Sequence, residues 1–151
     1  LRDPSVHKEM FRDFYKDKGF KLYGIMIPSD KYTQGIEIMY PSKPINSDNQ
    51  PAVYILTTRE GEVLKIGETQ NLTSRFRYGY RTVSNSTNNK IRAWIKSNEN
   101  VWVYALPMPI VTEKLLGFKC ETSYAKGLEY NLLLDYEKQM KSLPELNVMK
   151  K

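Results

Sequence analysis

Ala52-Val53-Tyr54-Ile55-Leu56-Thr57, Thr58-Arg59-Glu60-Gly61 and Glu62-Val63-Leu64-Lys65-Ile66-Gly67 follow one another without a break. Val53 and Ile55 alternate with Tyr54, and Leu64 and Ile66 alternate with Lys65. Side chains along a strand change face at every residue, so this pattern predicts two short strands joined as a hairpin by the 58–61 turn. With the four aliphatics turned to a core, Tyr54 and Lys65 share the opposite face. A four-residue loop sets them directly across from each other, with β-carbons within ~6 Å. An ammonium beside a phenol favours the phenolate and lowers its pKa, which is one way to make tyrosine a base. The plainer reading of the same pattern is a Tyr–Lys pair on an exposed sheet face.

Downstream of the hairpin, Gln70 to about Gly79 reads as helical, with Leu72 and Phe76 four residues apart. It carries Arg75, whose planar fork suits a phosphate. Arg77 and Arg81 are equal alternatives on spacing alone. A Ser/Thr/Asn loop leads to a helix over Asn88 to Ser97 that turns Ile91, Trp94 and Ile95 inward. Val101 to Leu106 alternates as a third strand, and residues 107 to 121 suggest a two-stranded excursion. Thr122 or Ser123 then opens the longest helix, which ends near Ser142, before Pro144. Its apolar stripe is Ala125, Leu128, Leu132, Leu133, Tyr136 and Met140. Glu129 lies on or beside that stripe, where a carboxylate calls for a partner such as a divalent metal or an arginine.

Upstream, Ser5 can cap a helix through about Lys18, ended by Gly19, and Phe20 to Ile27 and Ile36 to Tyr40 read as strands. Pro41 to Pro51 is polar and reads as a linker. It divides an N-terminal arm, residues 1–51, from a compact core, residues 52–147.

The chain has 151 residues, enough for one domain, and 40% are hydrophobic, which supports a real core. One cysteine, Cys120, and one histidine, His7, exclude a disulfide framework, a multi-Cys zinc site and a His-pair metal site. No apolar run approaches the ~18 residues of a membrane span. Leu1-Arg2-Asp3-Pro4 does not read as a secretory signal, so a soluble cytoplasmic protein is expected. The net charge is +6, which favours an anionic partner. From Arg75 to Lys96 there are six cations (Arg75, Arg77, Arg81, Lys90, Arg92 and Lys96) and no acid, interleaved with Phe76, Tyr78, Tyr80 and Trp94. That combination suits phosphate contacts with some stacking.

Val53-Tyr54-Ile55, then Lys65-Ile66-Gly67, Arg75 in a helix and Glu129 in a later helix form an ordered set that resembles the GIY-YIG nuclease family. Ala52 and Val53 stand where the first motif has glycine and isoleucine, and Lys65 stands where the second has tyrosine. The set looks closest to the small type II restriction endonucleases of that family. The similarity continues through Ser86-Thr87-Asn88-Asn89, Val103-Tyr104-Ala105, Leu116-Gly117-Phe118-Lys119 and the Ser123 to Asp135 helix.

The resemblance implies an α+β fold, with a three-stranded antiparallel sheet flanked by helices and the N-terminal arm outside it, serving DNA contact or dimerisation. It places Tyr54, Lys65, Arg75 and Glu129 at the family's catalytic positions, with Asn147 matching its C-terminal asparagine and Arg77 a further candidate. It implies one divalent cation, usually Mg²⁺, on Glu129. The expected activity is sequence-specific hydrolysis of double-stranded DNA to 5′-phosphate and 3′-hydroxyl ends, in a bacterial or phage-infected cell. Arg77, Tyr78, Arg81, Asn88 and Lys90 are the expected DNA contacts. Cutting both strands of a symmetric site implies a homodimer. The alternatives are a homing, repair or phage endonuclease of the same family, or a non-catalytic nucleic-acid-binding module.

Overall fold

The computed structural model of the chain describes residues 15–31, 35–40, 50–80, 86–98 and 100–147, with backbone only at 77, 78, 86 and 87. The expected N-terminal helix from Ser5 lies almost wholly outside the described residues. Its last turn is a 3₁₀ turn, Lys16–Lys18, which stops at Gly19 in the left-handed conformation, φ 92°.

Seven strands follow among the described residues: β1 (Lys21–Pro28), β2 (Ile36–Met39), β3 (Ala52–Thr57), β4 (Val63–Thr69), β5 (Val101–Pro107), β6 (Ile110–Leu115) and β7 (Phe118–Ser123). Two α-helices join them, α1 (Ser86–Asn98) and α2 (Ala125–Met140). The first five strands make one antiparallel sheet in the order β2-β1-β5-β3-β4, and β6 and β7 pair only with each other.

The sheet therefore has five strands and not three. Strands β1 and β2 come from the segment read as an arm, and β1 pairs with β5 along most of its length. Both are apolar and alternate, so each was legible as a strand. Their long-range partner was not, because pairing across some eighty residues leaves no mark on local periodicity.

Both faces of the sheet are covered, and every residue of β3 is buried. One face carries Tyr54, Leu56, Val103 and Ala105 beneath α1 and the 72–80 segment. The other carries Val53, Ile55 and Ile66 beneath Tyr15, Phe20 and α2, whose stripe of Ala125, Leu128, Leu132, Leu133, Tyr136 and Met140 is the one read from the sequence. Each face thus removes a continuous apolar layer from water, at ~25 cal/mol per Å².

The hairpin forms, with Thr58 N–H donating to Glu62 O at 2.9 Å and Gly61 at φ 98°, but its register differs from the one read. Thr57 pairs with Val63 and not Glu62, which shifts the strands by one residue, and a bulge at Leu64 between the Thr57–Val63 and Leu56–Lys65 pairs shifts them by one more. Tyr54 therefore stands opposite Gly67, and Lys65 opposite Leu56. Lys65 is therefore diagonal to Tyr54, on the same face, and Leu64 joins the cluster around Tyr54 instead of the one around Val53.

Candidate active site

Gly67 explains how a tyrosine ring fits in the middle of this sheet. A β-carbon at Gly67 would lie 2.5 Å from the Tyr54 hydroxyl oxygen and 2.8 Å from its Cε2, so the ring occupies the space a side chain at 67 would fill. Tyr54 is 1% exposed and meets Phe76 edge-on at 4.9 Å between ring centroids. This is a buried site, not a Tyr–Lys pair on an exposed face.

The segment after β4 delivers the next groups. Asn71 caps it by accepting Ser74 N–H at 3.0 Å on its side-chain oxygen. Leu72, Phe76 and Tyr80, each four residues on from the last, then turn inward. The predicted α-helix is here a π-helix over Ser74–Gly79, in which Tyr80 N–H donates to the carbonyl of Arg75 five residues earlier. That extra residue per turn brings Tyr80 beneath Arg75, whose guanidinium carbon lies 5.6 Å from the Tyr80 ring centroid.

Tyr80 is the centre of the arrangement, and the sequence reading had noted it only as one aromatic among several. Its hydroxyl lies 2.6 Å from that of Tyr54 and accepts from the Lys65 ammonium at 3.0 Å. Lys65 is itself buried, with Nζ 5.8 Å from the Tyr54 ring centroid and 5.5 Å from that of Tyr80. The direct Lys65–Tyr54 pairing expected from the sequence is thus replaced by a chain in which Tyr80 stands between the two. The missed signal was the stripe itself: Leu72 and Phe76 continue, at the same spacing, to Tyr80.

Burial pushes the Tyr80 phenol well above its ordinary value. The adjacent Tyr54 and then the Glu129 carboxylate push in the same direction, while Arg75 opposes them. Tyr80 therefore keeps its proton near neutrality. The two phenols share one hydrogen bond, in which either hydroxyl can donate.

Glu129 is half-buried on α2, which packs on the face opposite Tyr54 and mostly against β4. Tyr54, Lys65 and Arg75 meet at Tyr80, whereas Glu129 bears on it only as the weakest of several electrostatic influences, from the helix on the other face of the sheet.

Asn147 has a different place. Its side-chain oxygen accepts Ile66 N–H and its nitrogen donates to Ile66 O, both at 2.9 Å. With Leu146 N–H donating to Leu64 O at 2.8 Å, the end of the described chain continues the sheet along the outer edge of β4, beside Lys65 and Gly67.

Among the expected DNA contacts, Asn88 is buried and donates to Gly79 O at 3.0 Å, so its side chain faces inward to the fold. Arg92, one of the six cations read as phosphate-facing, is also buried. It donates to Tyr80 O at 2.6 Å and to Asn89 Oδ1 at 2.5 Å. Together these two side chains hold the carbonyls at the end of the π-helix, which fixes Tyr80. Lys90 is exposed on α1. Arg81 and the side chains of Arg77 and Tyr78 lie outside the described residues.

No group of three or more His, Cys, Asp or Glu side chains that could hold a metal occurs among the described residues. The donor set is one half-buried carboxylate, Glu129. Such a set fits Mg²⁺, which keeps several waters and is commonly bound by one or two carboxylates together with substrate phosphates. Among the described residues no helix is long and apolar enough to cross a membrane.

This α+β arrangement is one found among solved nucleases. The chain is similar to restriction endonuclease HPY188I in complex with product DNA, at 24% identity over 93% of this chain and 86% of that one, with a TM-score of 0.57. It is also similar to a mutant of bacteriophage T4 EndoII, at 21% identity over 94% of this chain and 98% of that one, with a TM-score of 0.61. At these identities the likeness is one of fold. No family model and no curated protein matches the chain.

Proposed function

We propose that this chain is a DNA endonuclease of the GIY-YIG type, hydrolysing phosphodiester bonds of double-stranded DNA at a specific sequence. The observation that carries the reading is the buried Tyr54–Tyr80–Lys65 chain, 2.6 Å and 3.0 Å long at its two links, with the Arg75 guanidinium 5.6 Å from the Tyr80 ring centroid. Two nucleases of similar fold, one of them solved with product DNA, support it.

Tyr54 serves as the general base. Tyr80 is placed to donate to the Tyr54 oxygen as it takes up the proton of water, and Lys65 sets a positive charge behind both. Water attacks phosphorus in line with the leaving 3′ oxygen, its proton passes to Tyr54, and the P–O3′ bond breaks. The products carry 5′-phosphate and 3′-hydroxyl ends. Arg75 offers its fork to the non-bridging oxygens, where charge builds in the transition state. Glu129 would hold the divalent cation. Such a cation would supply positive charge and an acidified water for the leaving oxygen. Lys90, with Arg77, Tyr78 and Arg81, supplies phosphate contacts, and two copies act on the two strands.

The test is incubation of the purified protein with plasmid and Mg²⁺, followed by sequencing of the fragment ends. Discrete fragments with 5′-phosphates support the reading. Nicks or smears indicate a looser, phage-type endonuclease, and a shifted but intact plasmid indicates binding without catalysis. Glu129→Gln is expected to abolish cleavage while still binding DNA, and a variant that cuts at the wild-type rate would overturn the site assignment.

A further inference from the structure

Helix α1 turns a polar edge towards the end of the π-helix. Asn88 Nδ2 donates to Gly79 O at 3.0 Å, and four residues further along the same face Arg92 Nη1 donates to Tyr80 O at 2.6 Å. Arg92 Nη2 is held in turn by Asn89 Oδ1. Arg92 is 4% exposed, so its fork lies inside the fold and not on the basic surface read from residues 75–96. These two acceptors are neutral oxygens. A buried guanidinium stays charged and is costly to desolvate, and an apolar side chain at 92 would fill the same space without that cost. What the guanidinium adds is a grip on one carbonyl, at a helix C-terminus where the backbone dipole favours a cation.

That carbonyl belongs to the residue whose hydroxyl links Tyr54 to Lys65. The Tyr80 ring lies against Phe76 and Tyr54, at 5.2 Å and 6.3 Å between centroids, and under the Arg75 guanidinium. The hydroxyl stands at the far end of this side chain, and a group in a reaction site has to stay within about 10–20° of its productive direction. Holding the Tyr80 peptide steadies the base of that lever.

We infer that Arg92 is a positioning residue for strand cleavage: by holding the Tyr80 carbonyl it sets the Tyr80 hydroxyl against Tyr54, and it makes no contact with DNA phosphate. The cleavage part rests on the nuclease reading above, whereas the placement of the hydroxyl does not.

Arg92→Lys tests it, because lysine keeps the charge but loses the planar fork. In single-turnover cleavage of duplex DNA with Mg²⁺, the rate should fall by roughly tenfold or more. The Kd for DNA and its dependence on salt should stay at wild-type values. Lys90→Ala, which removes an exposed cation of the same helix, gives the contrasting pattern of weaker binding and a salt slope smaller by about one. On a Tyr80→Phe background Arg92→Lys should cost no further rate, since no hydroxyl is left to place. Tyrosines labelled with carbon-13 at Cζ read the placement without cleavage. The Tyr80 resonance, assigned by its absence from Tyr80→Phe, should shift in Arg92→Lys, while that of Tyr104, in the cluster on the other face, stays in place. Asn89→Ala, at an exposed position, frees Nη2 alone and should move the same resonance to a smaller extent.

An Arg92→Lys protein that loses DNA affinity and salt slope as Lys90→Ala does overturns the inference. So does one that cuts at the wild-type rate, or one whose loss of rate is the same with and without the Tyr80 hydroxyl. If Arg92→Lys does not fold by circular dichroism, Asn89→Ala takes its place, and an unmoved Tyr80 resonance there overturns the inference too. A wild-type protein that leaves DNA intact while the Tyr80 resonance still responds to Arg92→Lys strikes the nuclease reading and supports the placement of the hydroxyl.

Discussion

The two faces of the five-stranded sheet are built from the same strands and are buried alike, yet they hold different chemistry. Under α2, Val53, Ile55, Ile66, Leu132 and Tyr136 form a layer that is apolar apart from the phenols of Tyr15, Tyr104 and Tyr136. Under α1 and the π-helix, the core encloses an ammonium and two phenols linked by hydrogen bonds. An apolar layer is robust because any side chain of suitable volume fills it. A buried polar chain is intolerant, because removing one member leaves its neighbours unsatisfied in a medium of low dielectric constant. One face holds the protein together, and the other spends part of its packing on placing Tyr54.

If that division is right, damage to the α2 face should cost stability and leave chemistry alone. Phe20→Ala, removing a ring that meets Tyr15 edge-on at 6.0 Å, should cost ~3–5 kcal/mol by urea denaturation. Cleavage per folded molecule should be unchanged, and a proportionate loss of rate in the folded fraction would erase the distinction. Damage to the other face should do the reverse. Tyr80→Phe keeps the ring beside Phe76 but breaks the relay, so the cleavage rate should fall by roughly a hundredfold.

The same substitution has a signature in pH. Burial, then Tyr54, hold the Tyr80 proton on in the folded state, while the unfolded chain gives its proton up near the ordinary phenol value of 10.0. The folded protein then binds more protons than the unfolded one, so this contribution is intact below about pH 10 and is lost as the pH rises further. Tyr15, also pushed up by burial, adds to the trend. Melting temperatures of Tyr80→Phe should decline less steeply in alkali than those of the wild type. The smallest effect belongs to the boundary between the faces: Asn147→Ala, which frees the Ile66 peptide at the edge of β4, should cost about 1 kcal/mol.

The α2 face was also the more legible in the sequence. The period of two in β3 and the stripe from Ala125 to Met140 name their buried residues directly, because burial on an amphipathic element leaves a periodic trace. The β6–β7 excursion and the turn at Gly61 were legible for the same local reason. What escaped was set by geometry that no period records. A loop that closes at Thr57–Val63 and the bulge at Leu64 together moved Lys65 from opposite Tyr54 to a diagonal position, and β1 joined a sheet whose other strands lie far along the chain. Arg92 and Asn88, polar and flanked by polar residues, gave no hint that they would turn inward to hold the carbonyls of Tyr80 and Gly79.

The π-helix at Ser74–Gly79 has a consequence for how this chain tolerates insertion and deletion. Five residues of a π-turn and four of an α-turn return to nearly the same bearing, so removing a single residue between Arg75 and Tyr80 would restore α-helical spacing and leave the phenol beneath the guanidinium. The same deletion from an α-helical turn would swing the next side chain by about 100°, with nothing to take it up. This one turn can therefore shorten by a residue where an ordinary helical turn could not.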